Sequence, residues 1–295
     1  MPFGFDWVDA FSAQPFGGNG CVVVHDAADL PDESCTALVR ETSLSECTFL
    51  GPSDRADLRV RYFLATREIP FAGHPTIATV ASLIDRGLAG NGIVTLETGA
   101  GLIEVEISEA DTSAPLITMT QPRPDYGDEV TPELVAGTVR LTPGAIVGSP
   151  RIVSTGLPFC VTVLRDKDAL AAAELDPAGL QAFRDAVEGP DTEVMEPFLV
   201  TLGGASAGGD TFSRLLMAPP LPAEDPFTGS ATGAMAAYLW ASGLIERPDF
   251  IAEQGHWLGR PGQARVEVLG PPHAIEGVRV GGQGYVLMRG FLNLA

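Results

Sequence analysis

A chain of 295 residues, 45% hydrophobic, with 34 glycines and 24 prolines, is long enough to bury one large or two ordinary cores and reads as globular. Its formal net charge of −20 argues against nucleic acid and against anionic membrane surfaces, both of which are held through Lys and Arg. No apolar run is long enough to span a bilayer, and the start "MPFGFDWVDAF" lacks the basic and continuous apolar stretches of a secretory leader, so a cytoplasmic protein is expected.

Along the chain, Phe3, Phe5 and Trp7 share one face of a first strand. A helix is predicted after Pro31, running to about Glu41, because proline suits a first helical turn. Leu58, Val60 and Tyr62 alternate with Asp57, Arg59 and Arg61, the pattern of a half-buried strand. A second helix follows His74, where Ile77, Val80, Ala81, Ile84 and Leu88 make one apolar stripe with Gly87 near its end. "GLIEVEI" (101–107) alternates again as a strand, and the Pro- and acid-rich "TQPRPDYGDEVTP" (120–132) reads as a linker.

After it the pattern restarts. "RIVSTGLPFCVTVLRDKDAL" (151–170) follows the plan of "DWVDAFSAQPFGGNGCVVVHDAADL" (6–30): strand, turn with proline, strand, charged turn. A helix near Pro177 matches the one after Pro31; strands are predicted at "PFLVTL" (197–202) and "RLLMA" (214–218). The helix beginning at Thr228 is apolar nearly all round, through Met235, Ala236, Ala237, Tyr238, Leu239 and Trp240, and is expected at the centre of its domain. Strands at "ARVEVLG" and "VRVGGQGYVLMRGFLNL" close the chain. The predicted class is α+β: two similar domains, each a mostly antiparallel sheet wrapped around one long helix. The expected boundaries are 1–122 and 123–284, with the last strand (285–295) a candidate to return to the first domain.

Cofactor signatures are missing. Lys167, the only lysine, sits in the charged turn "RDKD", a poor setting for a Schiff base, and neither GxxxxGK[ST] nor GxGxxG opens a nucleotide site. His25, His74, His256 and His273 are isolated, without zinc-ligand spacing. Cys21, Cys35, Cys47 and Cys160 show no CxxC and are expected to be reduced thiols. The expectation is a protein with no cofactor and no metal.

Chemistry is suggested by a duplication. "EIPFAGHPTIATVA" (68–81) and "EDPFTGSATGAM" (224–235) both run from an acid through proline and small residues into a helix. Each leaves backbone N–H groups at the positive end of a helix dipole, where small residues admit a ligand. Facing each other across a domain cleft, two such ends would hold a carboxylate or a developing enolate; ordinary capping by His74, Thr228 or Ser230 is the alternative. His74 is either a cap or a neutral imidazole able to carry a proton. Glu46, sharing a strand face with Leu44, Thr48 and Leu50, is either an exposed edge residue or a buried acid prepared for proton transfer. Asp225 is a turn residue and a possible acid, with Glu224 read as its solvated neighbour. Asn19, in "FGGNG", serves the backbone or contacts a substrate; Arg260, in "GRPG", is read as solvated or as an anion ligand.

The stretches "DAFSAQPFGGNG" (9–20), "ETSLSECTFL" (41–50), "REIPFAGHPTIAT" (67–79), "STGLPF" (154–159), "EDPFTGSATGAMAAYL" (224–239) and "QGHWLGRPG" (254–262) together resemble the phenazine-biosynthesis PhzF-like isomerase family, which shares the diaminopimelate epimerase fold. The resemblance implies a cofactor-independent isomerase with two similar α+β domains, usually a homodimer, acting on a small carboxylate-bearing metabolite. It aligns Glu46 with the catalytic glutamate that moves a proton between carbons. It matches His74 and Asp225 to active-site positions, and Asn19, Gly73, Gly229 and Ser230 to substrate-holding ones. Two departures stand out: Gly20 replaces a usual proline, and Leu64-Ala65 a usual Thr-Pro-like step. Racemases of the same fold use two opposed cysteines at the helix starts, where this chain has Gly73-His74 and Thr228-Gly229-Ser230. A racemase or epimerase is therefore the alternative enzyme, and a non-catalytic small-molecule binder the alternative of another class.

Overall fold

The computed structural model describes residues 2–187, 194–219 and 221–293. Residues 294 and 295, at the end of the predicted last strand, lie outside them. The chain divides into two compact units: Met1–Met119 with Gly259–Gly262 and Gly281–Ala295, and Thr120–Leu258 with Gln263–Val280.

In the first unit, β1 (Phe3–Ala10) pairs antiparallel with β2 (Asn19–Val24) and with the last strand of the chain, β18 (Gly284–Leu292). After β2 the chain forms α1 (Asp32–Thr42) and returns as β3 (Cys47–Gly51), parallel to β2. β4 (Leu58–Phe63) runs antiparallel to β3 and also pairs with the two-residue β5 (Glu68–Ile69). Next come α2 (Gly73–Asp85), then β6 (Gly92–Thr98), parallel to β4, and β7 (Gly101–Ser108) and β8 (Leu116–Gln121), each antiparallel to its predecessor. Helix α2 is buried continuously from Gly73 to Leu83 and packs on β1, β2, β3 and β18. The other face of β1 carries Phe3, Phe5 and Trp7, which pack with Cys35, Leu38 and Val39 of α1 and with Phe49 and Phe63.

The second unit follows the same sequence of pairings. β9 (Asp125–Glu129) and, after α3 (Pro132–Thr138), β10 (Ile146–Ser154) are antiparallel. β10 pairs antiparallel with β11 (Pro158–Leu164). Helices α4 (Lys167–Ala172) and α5 (Pro177–Val187) then lead to β12 (Met195–Leu202), parallel to β11. β13 (Thr211–Leu216) runs antiparallel to β12 and pairs with the two-residue β14 (Glu224–Asp225). The central helix α6 (Gly229–Ala241) precedes β15 (Asp249–Gln254), which is parallel to β13; β16 (Gly262–Leu269) and β17 (Gly277–Gly282) follow. α6 packs on β10 and β11, with Met235, Ala236, Ala237 and Leu239 fully buried. Gly229, Thr232 and Gly233 are poor helix formers, so α6 owes its stability to burial, worth roughly 1.5–3 kcal/mol per large apolar side chain.

The structure corrects several local expectations. The stretch 120–132 is not a free linker, since β9 lies inside it; its residues are mostly exposed, so no apolar alternation marks the strand. Leu88 does not extend the stripe of α2. Gly87 takes φ +69° and the Leu88 N–H bonds to the Leu83 carbonyl, the six-to-one closure that ends a helix, leaving Leu88 69% exposed. Lys167 opens α4 rather than a bare turn, with Nζ donating to the Gly204 carbonyl. No helix among the described residues is long and apolar enough to cross a membrane.

Candidate functional site

The first unit gathers Asn19, Glu46, Gly73 and His74. Asn19 is not in the glycine turn but opens β2, opposite Ala10, and is buried. Arg260 fixes the turn before it, donating to the carbonyls of Gly17 and Gly18 at 2.9 Å and to Asp9 Oδ1 at 2.7 Å. The solvated and the anion-binding readings of Arg260 both give way to this clamp. Glu46 is not in a strand: α1 ends at Ser43, in the left-handed region, and Glu46 is the last residue before β3. With 17% of its side chain exposed it is neither an open edge residue nor a sealed acid.

His74 is the second residue of α2. It does not cap the helix, whose N-terminus has no side-chain cap bond. Its Nδ1 lies 3.3 Å from Asn19 Nδ2 and 3.5 Å from Glu46 Oε2. The two partners compete for one nitrogen. Nδ1 offers a lone pair when the Asn19 amide donates and a proton when Glu46 accepts. Burial drives the imidazole down to about 3, against a smaller opposing pull from the main chain of Gly20, so the ring is neutral at pH 7. Nε2 is buried with no hydrogen-bond partner. A neutral ring with one nitrogen beside a carboxyl group and the other unsatisfied is equipped to relay or hold a proton. Around it, Tyr62 Oη and Thr76 Oγ1 are 2.7 Å apart, and Thr79 donates to Thr48.

The second unit gathers Asp225, Gly229 and Ser230. Asp225, on β14, is 6% exposed and accepts from Thr228 Oγ1 at 2.7 Å. Gln254, buried and not singled out from the sequence, ties this corner together. It donates to the Asp225 carbonyl at 2.8 Å and accepts from the Thr228 N–H at 3.0 Å. Its sequence signals are its place at the end of β15 and at the head of the stretch "QGHWLGRPG". Neither Thr228 nor Ser230 caps α6. The first-turn N–H groups of Gly229, Ser230 and Ala231 precede the first intrahelical bond, Thr232 to Thr228. Glu224 is not solvated; Arg214 grips it at 2.7 and 3.0 Å.

All four cysteines are buried free thiols, none at the start of α2 or α6. Burial pushes Cys47 and Cys160 up to about 12 and Cys35 to about 11. Among the described residues no cluster of three or more His, Cys, Asp or Glu could hold a metal ion.

Two sheet-wrapped helices of this pattern define a fold shared by PhzF proteins and proline racemases. A PhzF-family protein from Bacillus anthracis superposes with a TM-score of 0.87 at 22% identity over the whole of both chains. A probable proline racemase from Agrobacterium radiobacter gives 0.64 at 14% identity, with 99% and 93% of the chains covered; these two matches speak to fold alone. The profile of the phenazine biosynthesis-like protein family matches residues 8–290, and the chain belongs to that family. It is similar to the trans-2,3-dihydro-3-hydroxyanthranilate isomerase of Pseudomonas fluorescens, 32% identical over 97% of this chain and 98% of that one. A predicted epimerase from Pseudomonas aeruginosa has a TM-score of 0.83 at 30% identity, covering 99% and 100% of the chains. The protein is an isomerase of this family.

Proposed function

We propose that the protein is a cofactor-independent isomerase that moves a proton between carbons of a small carboxylate-bearing metabolite, with Glu46 as general acid and base. The observation that carries this reading is the pairing of Glu46 with a buried, neutral His74 whose Nε2 has no partner. Glu46 takes a proton from one carbon, the electron pair of the broken C–H bond shifts along the unsaturated system, and Glu46 returns the proton to a second carbon. Nothing is oxidised or reduced, so no redox cofactor enters the balance. Asn19 and His74 keep Glu46 oriented, and Gly73, the residue before His74, opens α2. The first-turn amides of Gly229 and Ser230 are suited to a carboxylate, and Asp225 is the active-site acid of that corner.

The reading also carries a cytoplasmic homodimer with it, on the strength of the family resemblance. Two-thiol racemisation lacks support, because the thiols are buried and held protonated at neutral pH.

The compound in the relative's name, trans-2,3-dihydro-3-hydroxyanthranilate, is the first substrate to assay, followed by other unsaturated amino or hydroxy acids. On whichever is turned over, Glu46→Gln is expected to lower kcat by ~10²–10⁴ with its melting temperature unchanged. Near-normal turnover by Glu46→Gln would overturn the assignment.

A further inference from the structure

Each unit contains the same arginine–glutamate fork, in the same place. On β4, Arg61 donates to both oxygens of Glu68 at 2.6 and 3.0 Å; on β13, Arg214 does so to Glu224 at 2.7 and 3.0 Å. Glu68 stands across the ladder from Phe63, and Glu224 from Leu216, each two residues beyond its arginine. The remaining guanidinium nitrogen also repeats its role. Arg61 Nη1 donates to the carbonyls of Ala28 and Leu30 at 3.0 Å, and Arg214 Nη1 to those of Leu170 and Ala173 at 2.8 and 3.1 Å. The first pair of carbonyls follows β2 and the second follows β11, the strands that hold the same place in the two series of pairings. An aromatic ring lies by each guanidinium, Phe63 at 4.8 Å and Trp257 at 5.7 Å.

A carboxylate gripped by two parallel N–H bonds is held in orientation as well as in place. The strand that carries it is only two residues long, too short to be fixed by its own ladder. Five residues beyond each glutamate comes the first residue of the central helix, Gly73 in one unit and Gly229 in the other. Arg214 with Glu224 is the more buried pair, its side chains 14% and 9% exposed. We propose that these forks are positioning devices: Arg214–Glu224 fixes Asp225 and the start of α6, and Arg61–Glu68 fixes the start of α2 beneath His74. The proposal adds a supporting layer to the functional reading above and rests on it for the purpose of the positioning, but not for the positioning itself.

Buried ion pairs replaced by apolar side chains of similar size often keep or gain stability, which separates positioning from mere support. The test is hydrogen exchange on substrate-free protein, so a wrong substrate or reaction class leaves the readout intact. Exchange in a peptide spanning 224–235, which contains the Thr228 N–H bonded to Gln254, is compared with a peptide spanning 68–81. In Arg214→Met/Glu224→Leu the melting temperature should hold while exchange in 224–235 rises at least ~5-fold and 68–81 stays as in wild type. Arg214→Lys keeps the charge but loses the fork, and should show the same local rise; it carries the test if the double variant fails to fold. Unchanged exchange in 224–235 in the folded variants, or an equal rise in both peptides, would overturn the proposal.

Discussion

His74 owes its neutrality to burial rather than to the helix end it occupies. Loss of water from the ring is the largest cause, opposed only in part by the main chain of Gly20. With its value brought down to about 3, the ring should show no titration between pH 5 and 8 in nitrogen-15 spectra of labelled histidine. A titration of His74 within that window would contradict the buried geometry. Asp6 is the opposite case, a buried group that stays charged. Burial raises its carboxyl, but Arg86, Ser82 and His25 more than offset that and hold it at about 2. A carboxylate lowered on folding stabilises the folded state above its unfolded value near 4, and that stability is lost as pH falls towards 2. The size is about 2 kcal/mol, and His25, lowered by burial, adds loss in the same direction as pH falls below 6.5. Urea melts from pH 7 to 2.5 should show that decline in wild type. Asp6→Asn should be weaker by about 2–4 kcal/mol at pH 7 and flatter towards acid.

Legibility in the sequence followed the size of the apolar signal in each element. α2 and α6 were visible because their apolar positions recur at helical spacing or fill every face, α1 and α5 because a proline stands at their start, and β1, β4 and β7 because they alternate. β9 has almost nothing buried, and β5 and β14 are two residues long, so no periodicity could announce them. At the site, the helix starts and Glu46 carried signals, but the polar residues beneath them did not. Gln121 shows why. It donates to the Gly229 carbonyl and accepts from Thr155, contacts set by folding and not by neighbours in sequence. It also explains Gly233, where an added methyl would fall 1.9 Å from Gln121 Oε1. Alanine usually gains ~0.5–1 kcal/mol over glycine in a helix. Gly233→Ala should instead lose about 1–3 kcal/mol in denaturant melts, while Gly137→Ala in α3, with open space around it, should show the ordinary gain. A stabilised Gly233→Ala would mean that Gln121 is not held as described.

Among the described residues, one sequence of strand pairings, one arginine–glutamate fork and one small-residue helix start each occur twice. The two copies have diverged in what they carry. The first holds a histidine beside a glutamate, the second an aspartate, a glutamine and hydroxyl groups. The two-thiol pair that the family resemblance assigns to racemases of this fold is missing among the described residues, because no cysteine stands at the start of α2 or α6. The central claim is therefore one glutamate moving one proton from carbon to carbon. Turnover in D₂O, followed by mass spectrometry and NMR of the product, tests it most directly. Wild type should place deuterium at one product carbon, leave the configuration of any untouched stereocentre intact, and lose this labelling in Glu46→Gln. Racemised product labelled at the original carbon, or full labelling by Glu46→Gln, would contradict the account.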